Sequence, residues 1–195
     1  LHTTMAVTEQ GIPLGILRME CTAPQPKDDM RRSYEIPIEE KKDYAWIKGM
    51  RDCSAIAQLM PHTHIVCVMD READFFELFD AWRQEPNQRV DLLVRADHNR
   101  CTTEELKLFD AVEATEPKLY FTLHIDRQSA RAKKSKQKAR PKRPERMAEM
   151  VLRYRRIELK PPHYHQDKEP IPIWIIQASE VNSPEGVEPV EWFLL

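Results

Sequence analysis

The 195-residue chain has no run of about 18 apolar residues, the length a helix needs to cross a bilayer. Its opening, LHTTMAVTEQGIPLG, lacks the basic start and continuous apolar stretch of a secretory signal. The expectation is a soluble, cytoplasmic protein. Cysteine is sparse: Cys21, Cys53, Cys67 and Cys101 form no C-x-x-C pair and no dense spacing, which excludes a disulfide scaffold. Free thiols in a reducing compartment follow, usually buried as small hydrophobes. No internal repeat is visible. With 41% hydrophobic and 32% charged residues and a mean hydropathy of -0.64, collagenous, mucin-like and disordered compositions are also excluded. The first residue is Leu1, and Trp192, Phe193, Leu194 and Leu195 end the chain within an apolar run, so both ends are expected to be cut from something longer.

Acidic residues are nearly absent from positions 127–156, where Glu145 and Glu149 face thirteen Lys and Arg, a local charge of +11. The formal total is only -2, so the other 165 residues carry -13. Such a split suggests a basic element that meets a polyanion, mounted on a body that alone would not attract one.

Residues 2–8 and 12–21 are β-rich and separated by Glu9-Gln10-Gly11, which predicts a hairpin. Prolines 24, 26 and 37 among many charges make 23–40 a surface loop. Trp46, Met50, Cys53, Ala57 and Met60 follow the spacing of an amphipathic helix that Pro61 ends. Residues 64–69 are a short apolar run, expected as a strand covered on both faces. Residues 70–84 return to helical period, with Phe75, Phe79 and Trp82 on one stripe, and 90–95 is another strand. Strand, helix, strand with short loops predicts an α/β unit with parallel strands, which the hairpin extends into one mixed sheet flanked by helices.

Beyond Arg100 the character changes. Residues 103–115 suit a helix, and 118–126 alternate Leu119, Phe121, Leu123 and Ile125 against polar partners, a half-exposed strand. Residues 130–146 carry nine basic side chains and no apolar one larger than alanine, so a mobile loop is expected. Further strands are predicted at 150–159, 171–181 and 190–195. The organisation expected is a core over 1–100 and a β-rich insertion over 101–195.

The central chemical signal is Met69-Asp70-Arg71-Glu72-Ala73-Asp74, where an apolar strand turns into a helix. A carboxylate at the carboxyl end of a sheet strand faces the crevice in which open α/β sheets bind ligands, and suits one position on Mg²⁺. The rival reading is that Asp70 caps the helix that starts at Arg71, with Glu72 and Asp74 placed for the dipole.

The segment VCVMDREADFFELFDAW closely resembles the second catalytic aspartate segment of bacterial DDE transposases of the insertion sequence four group, which includes the transposon-five-like enzymes. HTTMAVTEQGIPLGIL resembles the hairpin of that family, VDLLVRADHNR its strand ending in Val-Arg-x-x-His, and EPVEWFLL the strand that ends its β insertion. The four segments occur in the family's order.

The resemblance implies a ribonuclease-H-like core, incomplete here, interrupted by a β-rich insertion. It implies a parent enzyme that nicks DNA at transposon ends, forms and opens a hairpin, and transfers the strand to target DNA. Two Mg²⁺ or Mn²⁺ ions serve these steps. The implied partners are double-stranded transposon-end and target DNA and a second copy of the parent, with nucleoid association when DNA is bound. Asp70 matches the second catalytic aspartate and a metal ligand; the other two carboxylates fall outside this sequence, so this piece alone is expected to be inactive. Arg71, Arg95 and His98 match positions near the active site suited to phosphate contact, or alternatively to surface ion pairs. Trp192 matches a tryptophan on which a flipped base stacks, or is an ordinary strand core residue. Lys133, Lys134, Lys136, Lys138, Arg140, Lys142 and Arg143 resemble the family's basic loop, suited to neutralising phosphates.

Two readings of other classes stand beside this one. The chain is a non-catalytic nucleic-acid-binding module or decayed transposon relic, or the pairs His62/His64 and His163/His165 build a zinc or nickel site. The histidine pairs flank prolines and nothing in the sequence brings them together.

Overall fold

The computed structural model describes residues 1–23, 32–130, 132 and 142–195. The chain is mixed α/β, with strands dominating and three α-helices among the described residues. No described helix is long and apolar enough to cross a membrane. The residues fall into two compact units, Leu1–His98 with Leu159–Ile171, and Asn99–Glu158 with Pro172–Leu195.

The first unit opens on the predicted hairpin, β1 (His2–Val7) antiparallel to β2 (Pro13–Glu20). Gly11 takes a φ of 80° in the turn, and its N–H donates to the Thr8 carbonyl at 2.9 Å. Helix α1 (Tyr44–Leu59) follows and buries Met50, Cys53 and Ala57 as its period predicts. Trp46 and Met60 are not buried with them; Ala45, Ile47, Gly49 and Ser54 are. The hairpin lies on α1 through the His2 ring, edge-on to Trp46 at 4.5 Å, and through a close approach at Gly49. A Cβ at Gly49 would stand 2.9 Å from Thr4 Oγ1, so only glycine admits that approach without displacement. Arg18 bridges to Asp52 and Lys48 to Glu20 along the same contact.

Strands β3 (Ile65–Met69) and β4 (Val90–Val94) pair in parallel, from Ile65 opposite Val90 to Met69 opposite Val94. Three expectations are corrected in this unit. The hairpin and the parallel pair are separate two-stranded sheets among the described residues, not one mixed sheet, because no ladder joins their edges. Strand β3 is not covered on both faces: Cys67 and Met69 are buried, whereas Val66 and Val68 point outward, Val68 being 73% exposed. A continuous helix from Asp70 does not form. A 3-10 turn over Arg71–Ala73 comes first, Phe75 is extended, and α2 runs Phe76–Gln84. The break arises because Asp74 turns inward to a partner outside the helix. Consequently Phe76, Leu78 and Phe79 form the buried face of α2.

Residues 23–40 are not wholly irregular where described, since Ser33–Glu35 and Ile38–Glu40 form 3-10 turns. The segment Leu159–Ile171 returns to this unit. His165 Nε2 lies 3.3 Å from Glu77, Lys168 lies 3.2 Å from Asp80, and Tyr164 stacks on Tyr34. The Asp80 carboxyl is held below its ordinary range by Lys168, Arg83 and Gln84, against the opposing cost of burial.

The second unit is a four-stranded sheet in the order β5 (Leu119–Ile125), β6 (Arg146–Leu159), β7 (Ile171–Val181), β8 (Glu191–Leu194). The β5–β6 and β7–β8 pairings are antiparallel. On one face Ile125, Ala148, Met150, Ala178 and Val190 form a buried cluster with Phe121 and Leu123 against it. Helix α3 (Leu108–Glu113) lies on the other face, where Phe109 stacks on Phe193 at 3.9 Å. It is shorter than predicted. A tight turn bridged between Cys101 and Lys107, with Glu105 at a φ of 61°, occupies the first half of the expected helix. Strand β6 begins at Arg146, earlier than expected, because Arg146 is anchored by two bonds to Glu180 at 2.8 and 2.7 Å.

Candidate functional site

Register decides where the predicted site residues meet. Because Met69 lies opposite Val94, the residues that follow, Asp70 and Arg95, emerge side by side at the carboxyl ends of a parallel pair. The Arg95 N–H closes the ladder on the Met69 carbonyl at 3.0 Å. Burial, then repulsion from Arg71, pulls the Arg95 guanidinium below its ordinary value, while Asp70 and Asp97 oppose the shift. Asp70, Arg71, Arg95 and Asp97 therefore share one electrostatic cluster. Arg71 Nη1 stands 3.6 Å from Asp97 Oδ1, an ion pair within this cluster. Beside the cluster is a depression of about 340 Å³ whose wall includes Arg71, Glu72, Asp97 and His98.

Asp70 caps the 3-10 turn: its Oδ1 accepts from the Glu72 N–H at 2.9 Å. Cap and ligand roles are compatible, since a carboxylate has lone pairs to spare. As a metal site the arrangement does not close. Among the described residues no group of three His, Cys, Asp or Glu side chains is placed to hold an ion. A single carboxylate such as that of Asp70 does not by itself enclose a divalent cation. The histidine pairs are likewise apart in their pairing, His64 with Asp91 at 2.6 Å and His165 with Glu77.

Asp74 was read from sequence only as a helix-dipole acid, yet it organises this corner. It is 3% exposed, and its Oδ2 accepts from the N–H groups of Asp97 and His98 at 2.7 and 2.9 Å. Those bonds hold the turn after β4 beside Asp70. The sequence signal for it was the inward position four residues after Asp70, which a continuous helix would have masked.

A second locus lies in the sheet unit. Trp192 pairs opposite Ala178 on β8 and is 37% exposed, so it is not an ordinary core residue. It lines a depression of about 350 Å³ with Leu123, Arg127 and Arg143. Gln128 and Arg143 exchange backbone hydrogen bonds of 2.9 Å in both directions, closing the base of the segment that carries the basic run. Lys133, Lys134, Lys136, Lys138 and Arg140 lie outside the described residues; Lys142 and Arg143 lie within them, at this stem. Arg127 and Arg143 thus bring cationic groups to the rim of an aromatic surface. No protein-family model matches the chain.

Proposed function

We propose that this chain is the internal part of a cut-and-paste DDE transposase, spanning an incomplete ribonuclease-H-like core and its β insertion, and that its own role is to contact DNA. The observation that carries the reading is the joint placement of Trp192 and Arg143 in one depression, at the stem of a segment with nine basic residues. A π-face beside cations is the combination that binds an unstacked base and its phosphate together. The parent would cleave the transposon end, form and open a hairpin and join the strand to target DNA, acting as a dimer in the nucleoid-containing cytoplasm.

Within that chemistry each group has a limited task. Asp70, rigidly placed at the end of β3, offers one oxygen ligand. Mg²⁺ or Mn²⁺ held there by three carboxylates in all would stabilise the entering and leaving oxygens of an in-line displacement at phosphorus. Arg71 and Arg95 would hold the phosphate against the strand ends, and Arg95, paired by backbone to Met69, has little freedom to leave. His98 would contact a neighbouring phosphate from the turn that Asp74 fixes. Trp192 would receive the flipped base, and the basic run would neutralise phosphates without regard to sequence.

A second reading, a non-catalytic nucleic-acid-binding module, is favoured by Asp70 belonging to no group of three metal-ligating side chains among the described residues. Binding of the chain to hairpin-ended and blunt duplexes across a salt series tests the common premise. Salt-dependent binding with a preference for the hairpin that Trp192→Ala removes is expected. An unchanged preference in that variant, or no binding at low salt, would overturn the assignment of Trp192 or of the whole interface.

A further inference from the structure

We propose that the sheet face carrying Tyr154, Trp174 and Trp192 is a stacking platform for single-stranded DNA, extending well past the depression at Trp192. Alternation along the strands sends Leu152, Tyr154 and Arg156 of β6 and Trp174 and Ile176 of β7 to the face that holds Met150 and Ala178. Trp192, opposite Ala178, and Leu194, opposite Ile176, join it from β8. At one end this face is closed by the cluster around Ile125, Ala178 and Val190. Toward the other it is open. There the Tyr154 and Trp174 rings meet edge to face at 5.7 Å while remaining 42% and 53% exposed.

Two large aromatics that fix each other yet stay in water are poorly explained by packing. They present flat π-surface at little further cost in rotamer freedom. Charge points to the occupant. The strand acids Glu149 and Glu191 alternate onto the opposite face; on this one Glu180 is buried and neutralised by Arg146, and Glu158, two residues beyond Arg156, accepts from the Thr103 hydroxyl at 3.3 Å, so the cations that favour an anionic occupant are concentrated at the Trp192 end. Glu185 and Glu188 belong to the connection between β7 and β8, not to the open end. Arg156, two residues beyond Tyr154, is exposed and has no ion pair among the described residues. Arg127 and Arg143 flank the Trp192 end. Trp174 and the Ala178–Trp192 pair are four residues apart along β7, about 13 Å. That spacing leaves room for intervening nucleotides between two stacking positions.

The chemistry selects unpaired nucleotides over duplex, because bases in a duplex hide their faces in the stack, whereas splayed bases offer them to aromatic side chains. The inference rests on the reading of this unit as a DNA-contacting one and is independent of Asp70 and of catalysis.

The test is titration of the full chain with a short oligothymidylate, read by quenching of tryptophan fluorescence, beside a blunt duplex of matched charge. Trp174→Ala and Tyr154→Ala should each weaken oligothymidylate binding by about tenfold, the loss of one base-stacking contact. Trp174→Phe should restore most of it, and duplex affinity should stay within twofold of wild type. Circular dichroism identifies any variant that has not folded, and the second aromatic then carries the test. Wild-type oligothymidylate affinity in both folded alanine variants overturns the platform while leaving duplex binding, and the function proposed above, intact. Dimerisation through Trp174 with no oligothymidylate bound overturns it as well, assigning the face to a second copy of the chain.

Discussion

The Asp74 carboxylate, buried within the first unit, accepts the backbone N–H groups of Asp97 and His98 through a single oxygen. These are charge-assisted bonds in a shielded place, and removing the acceptor strands two donors. Asp74→Ala should lower unfolding stability by about 3 kcal/mol, and Asp74→Asn by less, since an amide oxygen remains. Urea unfolding checks the first statement. Amide exchange at Asp97 and His98 checks the mechanism: both should speed up selectively in the alanine variant, and unchanged rates there would refute the latch.

The Arg146–Glu180 pair of the sheet unit is nearly inaccessible on both sides, and Glu180 also accepts the Val190 N–H at 2.9 Å. Breaking a buried pair leaves a charge unpaired, so Arg146→Ala should cost about 3 kcal/mol, whereas replacing both partners by apolar residues should cost far less. The comparison of single and double variants by urea unfolding decides this.

Acid should act on each unit through its depressed carboxylates, Glu20 and Asp80 in the first and Glu180 in the second. Hydrogen bonding to Lys48 and Arg18 depresses Glu20 from 4.5 to about 2, and bonding to Arg146 depresses Glu180 from the same ordinary value. A carboxyl depressed in the folded state stabilises it fully above the unfolded value, and that contribution is lost as pH falls through the folded value. Stability should therefore decline from about pH 4.5 toward the folded value of Glu20, about pH 2. Glu20→Gln should flatten the part of this slope due to the hairpin, and an unaltered slope would show that other acids govern it.

The legible parts of the fold were those with a local period. The hairpin, α1, the parallel pair and the alternation of β5 follow from residues a few positions apart, which share a face by geometry alone. The helix from Asp70 was misread because acids near a helix start and an inward-turning Asp74 look alike in sequence; the latter depends on partners more than twenty residues away. The outward Val66 and Val68 were illegible for a similar reason. An apolar run reports that a strand prefers burial, not whether the layer that would cover it is present. Of the candidate site, proximity of Asp70 and Arg95 follows from parallel register, but the meeting of Trp192 with Arg143 requires β5, β6 and β8 to be assembled.

Thiol chemistry distinguishes the four cysteines. Cys53 on α1 and Cys67 on β3 are buried, and the neighbouring Cys53 together with burial raises the Cys67 thiol; Cys21 and Cys101 are exposed, against the expectation of burial. A thiol must be accessible as thiolate to react. Under native conditions a disulfide reagent should modify Cys21 and Cys101 rapidly and the other two only after unfolding. Peptide mapping of the modified chain checks the order, and early labelling at Cys67 would mean that α1 separates readily from β3.

The outward faces of the first unit predict how the chain behaves at high concentration. Met5, Val7, Leu14, Ile16 and Met19 of the hairpin and Val66 and Val68 of β3 are all exposed, and both small sheets end in unpaired edges among the described residues. Exposed apolar strands with free edges favour association in proportion to concentration. Sedimentation velocity should therefore show reversible self-association of the full chain. Leu14→Lys and Val68→Lys act on different sheets, so each should weaken association without altering the far-ultraviolet circular dichroism. Together they should reduce it further, because charge in the middle of an apolar strand face opposes contact and edge pairing alike. A compact monomer at every concentration, in wild type and variants equally, would show that these side chains are too dispersed to act as one surface.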